Sequence, residues 1–398
     1  MQSYNLHMWI PRIIHNQIIA ALQQRPAVIV TGARQTGKTS LIRRMLPDYR
    51  YVSLDLPSEA ALAERDPDAF LQRYPPPLII DEVQYAPAVF RHIKAVIDNR
   101  RTERGLFVLT GSQKFSLMQG VVESLAGRVE VAELEPLSVA ELRAAGISAP
   151  IEELVFRGGY PELYENAALD APRYYRSYIT TYLERDVRAL LNVTSLRDFE
   201  RFLRACALRS GQLLNKADLA RDVGISPSTA NQWISVLQGS NQVVLLEPWF
   251  RNGLRSLTKS PKLYFNDTGV LCALLNIETL DQLLRSPLLG AIWETFVFGE
   301  IRRAQIARSL SWSVNFYRDR TQEVDFLVDR GGRYQLLEAK WSSSPDNRDA
   351  APMAKIESQL GNALIDSRAV VARVAHPHPL GDSTVAVPVD SIGSGDWC

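Results

Sequence analysis

Short apolar runs alternate with helix-patterned stretches along the first third of the chain. "AVIVTGARQTGKTSLIRRML" opens as an apolar strand, passes through a loop and continues as a helix. "PPLIIDEVQ" and "LFVLTGSQ" are two more apolar strands, each running into polar residues. Strand, helix and strand in this order predict a parallel sheet with helices on both faces. From Ser138 to about Gly211 the period is helical, broken at "RGGYPEL". "LLNKADLARDVGISPSTANQWISVLQGSN" predicts helix, turn, helix, with Asn215 and Ser226 as N-caps and Pro227 at the first helical position. Its second helix should bury Ala230, Trp233, Ile234 and Leu237 and present Ser228, Asn231, Gln232 and Ser235 on the opposite face. "LGAIWETFVFGEIRRAQ" predicts an amphipathic helix. "EVDFLVDRGGRYQLLEAKWS" predicts two strands about a Gly331-Gly332 turn, and a helix around "PMAKIESQLGNAL" and a strand "RAVVARV" follow.

The first loop fits G-x-x-x-x-G-K-[ST], with Gly32, Ala33, Arg34, Gln35, Thr36, Gly37, Lys38, Thr39 and Ser40 forming a candidate nucleotide cradle. Glycines let backbone N–H groups face a phosphate, and the helix start adds partial positive charge. Lys38 is expected to reach the β- and γ-phosphates and Thr39 to hold Mg²⁺. Asp81 ends the second strand, where it can also reach Mg²⁺, and Glu82 beside it can orient or deprotonate the attacking water. Thr110 and Ser112 end the third strand as candidate sensors of the γ-phosphate. Arg128 is the candidate arginine for the transferred phosphate, acting in cis or on a neighbouring subunit. ATP and Mg²⁺ are the expected cofactors.

In the middle, a segment rich in arginine and tyrosine, Ala171 to Ser210, reads as a lid and linker or as a stripe along a phosphate backbone. "QVVLLEPWFRNGLRSLTKSPKLYFND" fits a two-stranded wing after the helix pair, with Arg251, Arg255, Lys259 and Lys262 as its basic residues. This winged helix has two open uses, DNA contact and protein packing, since the exposed helix face has no Lys or Arg.

In the hairpin, strand alternation puts Val324, Phe326 and Val328 on one face, with Asp325 on the other. Glu338 and Lys340 share a face, and the turn folds Asp325 back toward them. With Glu294 on the preceding helix, the set is an acid, an Asp and a Glu-x-Lys, the site pattern of the restriction-endonuclease-like fold. Carboxylates such as Asp325 and Glu338 would hold a divalent metal, and Lys340 would place a water or offset phosphate charge. Charges on a strand edge are the alternative.

Composition adds limits. The 398 residues suffice for two or three domains, and the net charge of +1 leaves nucleic-acid binding to local patches. Cys206, Cys272 and Cys398 are far apart, which fits a reducing compartment and neither a disulfide framework nor a zinc site. No apolar run approaches a membrane span and no secretion signal is apparent, so a cytoplasmic protein without membrane association is expected.

"TGARQTGKTSL", "LIIDEVQ", "LTGSQ", "SLAGRV", "GGYPE", "YLERDV" and "EVDFLV…LLEAKWS" together resemble the bacterial and archaeal AAA-superfamily ATPases of the archaeal-ATPase-like clade, whose C-terminal half is a domain of unknown function. The resemblance covers nearly the whole chain. It implies an α/β protein with a P-loop AAA-type core (1–137), a helical lid and linker (138–211), a winged helix (212–267) and a restriction-endonuclease-like domain (268–398). It gives Lys38, Thr39, Asp81, Glu82, Ser112 and Arg128 the roles above and leaves Glu294, Asp325, Glu338 and Lys340 intact. The expected activity is Mg²⁺-dependent ATP hydrolysis by a homo-oligomer that acts on DNA, with cleavage by the last domain open. The alternative is an ATP-operated switch whose last domain is a docking platform.

Overall fold

A computed structural model describes residues 9–112, 124–183, 196–249, 260–319, 322–381 and 383–394. Arg251, Arg255, Lys259, Cys398 and part of the arginine- and tyrosine-rich segment lie outside the described residues.

The N-terminal unit is a five-stranded sheet in the order β2-β3-β4-β1-β5, all neighbours parallel. Its strands are β1 (Ala27–Thr31), β2 (Arg50–Ser53), β3 (Leu78–Asp81), β4 (Phe107–Gly111) and β5 (Val129–Glu133). The inner strands β1, β3 and β4 are buried throughout, which accounts for their continuous rather than alternating apolar sequence. Alternation still sorts the side chains. Ile29, Ile80 and Leu109 pack into one face, and Val28, Val30, Ile79 and Val108 into the other.

Helices follow within 139–183 and again at Leu196–Ala207, the first opened by a Ser138–Glu141 capping box. The helix pair Lys216–Val223 and Pro227–Gly239 carries the expected caps: Asn215 accepts from the N–H groups of Ala217 and Asp218, and Ser226 from that of Thr229. Ala230, Trp233, Ile234 and Leu237 are buried, while Ser228, Asn231, Gln232 and Ser235 are exposed. A three-stranded antiparallel sheet packs beside the pair, with β8 (Lys262–Phe265) central between β6 (Gln212–Leu213) and β7 (Val243–Leu246). Beyond β7 the chain docks on the next domain, where Trp249 donates its N–H to Phe316 O and its ring meets Tyr334 edge-on.

The C-terminal unit places the long helix Leu289–Ala307 against a six-stranded mixed sheet in the order β13-β14-β12-β11-β10-β9. Its strands are β9 (Ser313–Arg318), β10 (Glu323–Asp329), β11 (Tyr334–Ala339), β12 (Ile365–Ala372), β13 (His378–Pro379) and β14 (Thr384–Pro388). β9, β10 and β11 are antiparallel, β12 is parallel to β11, and the helix Asn347–Leu360 makes the crossover. One hydrophobic cluster joins buried residues of the helices after Val139, the helix pair with its three-stranded sheet, and the C-terminal sheet as far as Ile392.

One reading of the hairpin is corrected. Val324 packs with Leu327 and Leu336 on one side of the sheet, whereas Phe326 and Val328 pack with Leu337 on the other. The register between β9 and β10 shifts between Val324 and Leu327. Such a bulge adds a residue to one strand and reverses the alternation beyond it.

Candidate functional site

The glycine-rich loop leaves the C-terminal end of β1, in the interior of its sheet. Gly32 has φ +147°, and a Cβ there would stand 2.2 Å from Leu134 O, so no side chain fits. Gly37, at φ +91°, caps the helix Lys38–Met45, whose first N–H groups open toward the loop. Lys38 Nζ donates to Gly32 O (2.9 Å) and Ala33 O (2.8 Å), and Thr36 Oγ1 donates to Ala33 O (2.9 Å). Gln35, at φ +61°, accepts at Oε1 from the Tyr174 hydroxyl (2.6 Å), which ties the loop to the helix Ala171–Tyr178. Ala33 is buried, Arg34 is part of the same loop, and Ser40 is exposed in the first helical turn.

Beside the loop, the Thr39 hydroxyl lies 3.0 Å from Asp81 Oδ2 and 3.1 Å from Oδ1. Asp81 also accepts from the hydroxyls of Tyr51 (2.9 Å) and Thr110. Burial, and then the Asp81 carboxylate, push the Tyr51 hydroxyl up to about 12, so it stays a donor. Glu82 sits at φ +53°, in the left-handed region, and its Oε2 accepts from Ser112 Oγ (3.1 Å) and the Gln84 amide. The chain ends of β3 and β4 thus hold Asp81, Glu82, Thr110 and Ser112 at one mouth.

Arg128 lies elsewhere. β1 and β5 run in register from Ala27↔Val129 to Thr31↔Glu133, so the residue before β5 sits at the end of the sheet remote from Gly32. Five residues of strand put it about 15 Å away along the sheet. Its guanidinium holds Asp98 through two bonds (2.8 and 3.0 Å), and that contact pulls the Asp98 carboxyl below its ordinary range. In this geometry Arg128 does not reach the loop of its own chain.

Three residues beside the loop escaped the sequence reading. Tyr51 and Gln84 bond the two acids directly. Arg12 is buried and donates to Thr36 O (2.8 Å), Glu135 O (2.5 Å) and Glu141 Oε1 (3.1 Å). Gln84 closes the "LIIDEVQ" segment but has no assigned role there, Tyr51 lies in no local pattern, and Arg12 meets Glu141 across 129 positions. Glu135 continues this network: its side chain accepts from Asn266, which follows β8, and from Arg302 on the long C-terminal helix (3.2 Å). That helix carries Glu294 at its other end.

In the C-terminal domain, Asp325 Oδ2 accepts from the N–H of Ala339 (2.9 Å) and Lys340 Nζ donates to Glu338 Oε1 (2.7 Å). Burial and the nearby Asp325 charge raise the Glu338 carboxyl to about 8. Glu294 is raised to about 7 by burial and Asp325, against the pull of Lys262. The sequence-predicted residues therefore meet. The residue that sequence reasoning misplaced is Lys262. It is 2% exposed rather than on a nucleic-acid-facing wing, because β8 is a central strand whose first residue points into the acid cluster. Its Nζ stands 2.8 Å from Glu294 Oε1, 2.5 Å from Glu323 Oε1 and 3.7 Å from Asp325 Oδ1. The Tyr264 hydroxyl, two residues on, donates to the same Glu294 oxygen (2.5 Å).

Three segments of the chain match known families. Residues 24–143 match the AAA domain family, residues 148–281 a domain of unknown function (DUF8612), and residues 289–392 another (DUF4143). Among solved structures, the Walker-type ATPase paby2304 of Pyrococcus abyssi is 16% identical, with 66% of this chain and 94% of that chain covered at a TM-score of 0.46. AMPPCP-bound DnaA from Aquifex aeolicus is 14% identical, covering 56% and 86% at 0.28. The uncharacterized protein Rv2008c of Mycobacterium tuberculosis is 35% identical over 379 residues, 94% of this chain and 82% of that protein, and Mb2031c of Mycobacterium bovis matches to the same extent. The chain belongs to the family of these mycobacterial proteins and carries an AAA domain with a complete glycine-rich loop and an Asp-Glu strand end.

Proposed function

We propose that the protein hydrolyses ATP with Mg²⁺ and uses the turnover to act on DNA held by its middle and C-terminal parts. The observation that carries the first half is the contact between the Thr39 hydroxyl and the Asp81 carboxylate beside Lys38. Two adjacent oxygen donors at the mouth of the loop fit Mg²⁺, which takes oxygen ligands and keeps several waters. When bound with the nucleotide, Mg²⁺ would be held by Thr39 and Asp81 and would supply charge that offsets the phosphates. Lys38 turns from the loop carbonyls to the phosphates. Glu82 orients the attacking water and takes its proton, with Ser112 and Gln84 fixing the carboxylate. Arg128, remote from its own loop, serves the nucleotide of a neighbouring subunit, which makes the active form a homo-oligomer.

The C-terminal domain is read as restriction-endonuclease-like. Support comes from its element order and from the meeting of Glu294, Asp325, Glu338 and Lys340 at one end of the sheet. The exposed Ser228, Asn231, Gln232 and Ser235 face supplies a neutral surface for base edges. A second reading, the ATP-operated switch with a docking platform, is favoured by one observation: Lys262 is spent inside the acid cluster and is not available to phosphates. Steady-state ATPase rates with single-stranded, duplex and branched DNA separate the two. The DNA reading expects a stimulation of several-fold by at least one of them that fades as salt rises. Equal rates with and without every DNA leave the switch.

A further inference from the structure

The acid cluster of the C-terminal domain contains its own cation. Four carboxylates, Glu294, Glu323, Asp325 and Glu338, gather where the long helix meets β10 and β11. Among the described residues, three cationic side chains answer them: Lys340 holds Glu338, Arg318 reaches Glu323 from the rim (3.1 Å), and Lys262 enters the middle. Its ammonium lies within 4 Å of three carboxylates and 5.5 Å from the centre of the Phe316 ring. Its backbone is fixed on both sides, paired to Leu213 of β6 and Leu246 of β7, so it is not a mobile arm swung in from the surface. Glu338 is 5% exposed, and its Oε2 is a buried oxygen without a hydrogen-bond partner.

A divalent ion ligated by these acids would have to share the space with Lys262. Mg²⁺ needs oxygens at about 2.1 Å in octahedral array, and a second cation a few ångströms away in a buried site repels it strongly. Among the described residues, no group of three or more His, Cys, Asp and Glu is arranged to hold a metal. The metal that a nuclease-like domain implies does not fit the cluster as it is folded.

We propose that Lys262 is the resident cation of this cluster: the winged-helix sheet supplies an ammonium in the position a divalent ion would take among Glu294, Glu323 and Asp325. The site is neutralised from within and does not load Mg²⁺ or Mn²⁺ while β8 is in place. The inference rests on the nuclease-like reading for the identity of the missing metal; the lysine's place among the carboxylates is independent of it.

The test is calorimetric titration of Mn²⁺ into the nucleotide-free protein, its Lys262→Met and Lys262→Gln variants, and all three combined with Asp325→Asn. The parent should show no binding that Asp325→Asn removes. The Lys262 variants should gain a site, with affinity raised about tenfold or more by loss of the competing charge, and Asp325→Asn should abolish it. Mn²⁺ should also raise the melting midpoint of the Lys262 variants by more than that of the parent, and Asp325→Asn should remove the difference. If the variants fold only with Mn²⁺ present, the metal has replaced the ammonium; if they stay unfolded with Mn²⁺, the proposal fails. Parental binding lost in Asp325→Asn overturns the proposal and keeps the metal reading of the domain. Binding by neither parent nor variants overturns both. Plasmid incubation with the Mn²⁺-loaded variants then reads cleavage separately: a metal site without cleavage supports the internal cation and removes the nuclease.

Discussion

Glu82→Gln should retain nucleotide and lose turnover by about 10²- to 10⁴-fold, the range for removing a positioned general base. Gln keeps the size of the side chain and can still meet Ser112 and Gln84, so the mouth of the site should keep its shape. What is lost is the acceptor for the proton of the attacking water. Lys38→Ala is the complementary change. It removes the charge that reaches the phosphates and should abolish tight binding rather than the chemical step alone. Equilibrium binding of a fluorescent ATP analogue, paired with phosphate release, distinguishes the two. Full turnover in Glu82→Gln would remove that residue from the mechanism.

Arg12→Ala should lower stability by about 3–5 kcal/mol, the usual cost of breaking a buried ion pair from one side. Three acceptors lose a donor together: the carbonyls of Thr36 and Glu135 and the Glu141 carboxylate. Glu141 keeps the N–H groups of Ile13 and Ser138, which limits the loss. Because Thr36 belongs to the glycine-rich loop, ATP affinity should fall with stability. Arg285→Ala is the control. Its ion pair with Asp281 is exposed, with side-chain accessibilities of 79% and 66%, and should be worth about 1 kcal/mol at most. Melting midpoints of the two variants check the contrast; equal midpoints would show that Arg12 is not a keystone of the loop.

The features legible in the sequence are those whose chemistry is local. The glycine-rich loop could be read because strand, turn and helix are contiguous, and because Gly32 and Gly37 are needed for backbone shape. Asn215 and Ser226 could be read because a cap and the N–H groups it satisfies lie within three residues. The acid cluster was partly legible, since Glu338 and Lys340 lie two positions apart at the end of β11 and Asp325 returns through a short turn. Lys262 was not. In sequence it belongs to a run of basic residues in a wing; only the central place of β8 shows that it is buried against acids from two later elements. The same holds for Arg12. The bulge in β10 has no sequence mark comparable to a glycine, and it reversed the facing of Phe326 and Val328 relative to Val324. Arg128 shows a further limit: its position after a loop and before β5 was readable, but the end of the sheet at which it sits follows from strand direction and register.

Single-turnover hydrolysis of radiolabelled ATP by excess protein, with Mg²⁺ and with the metal chelated, tests the central claim most directly. The arrangement of Lys38, Thr39, Asp81 and Glu82 predicts one ADP formed per ATP bound in the presence of Mg²⁺ and none without it. Bound ATP that stays intact with Mg²⁺, or hydrolysis at the same rate in chelator, would contradict it.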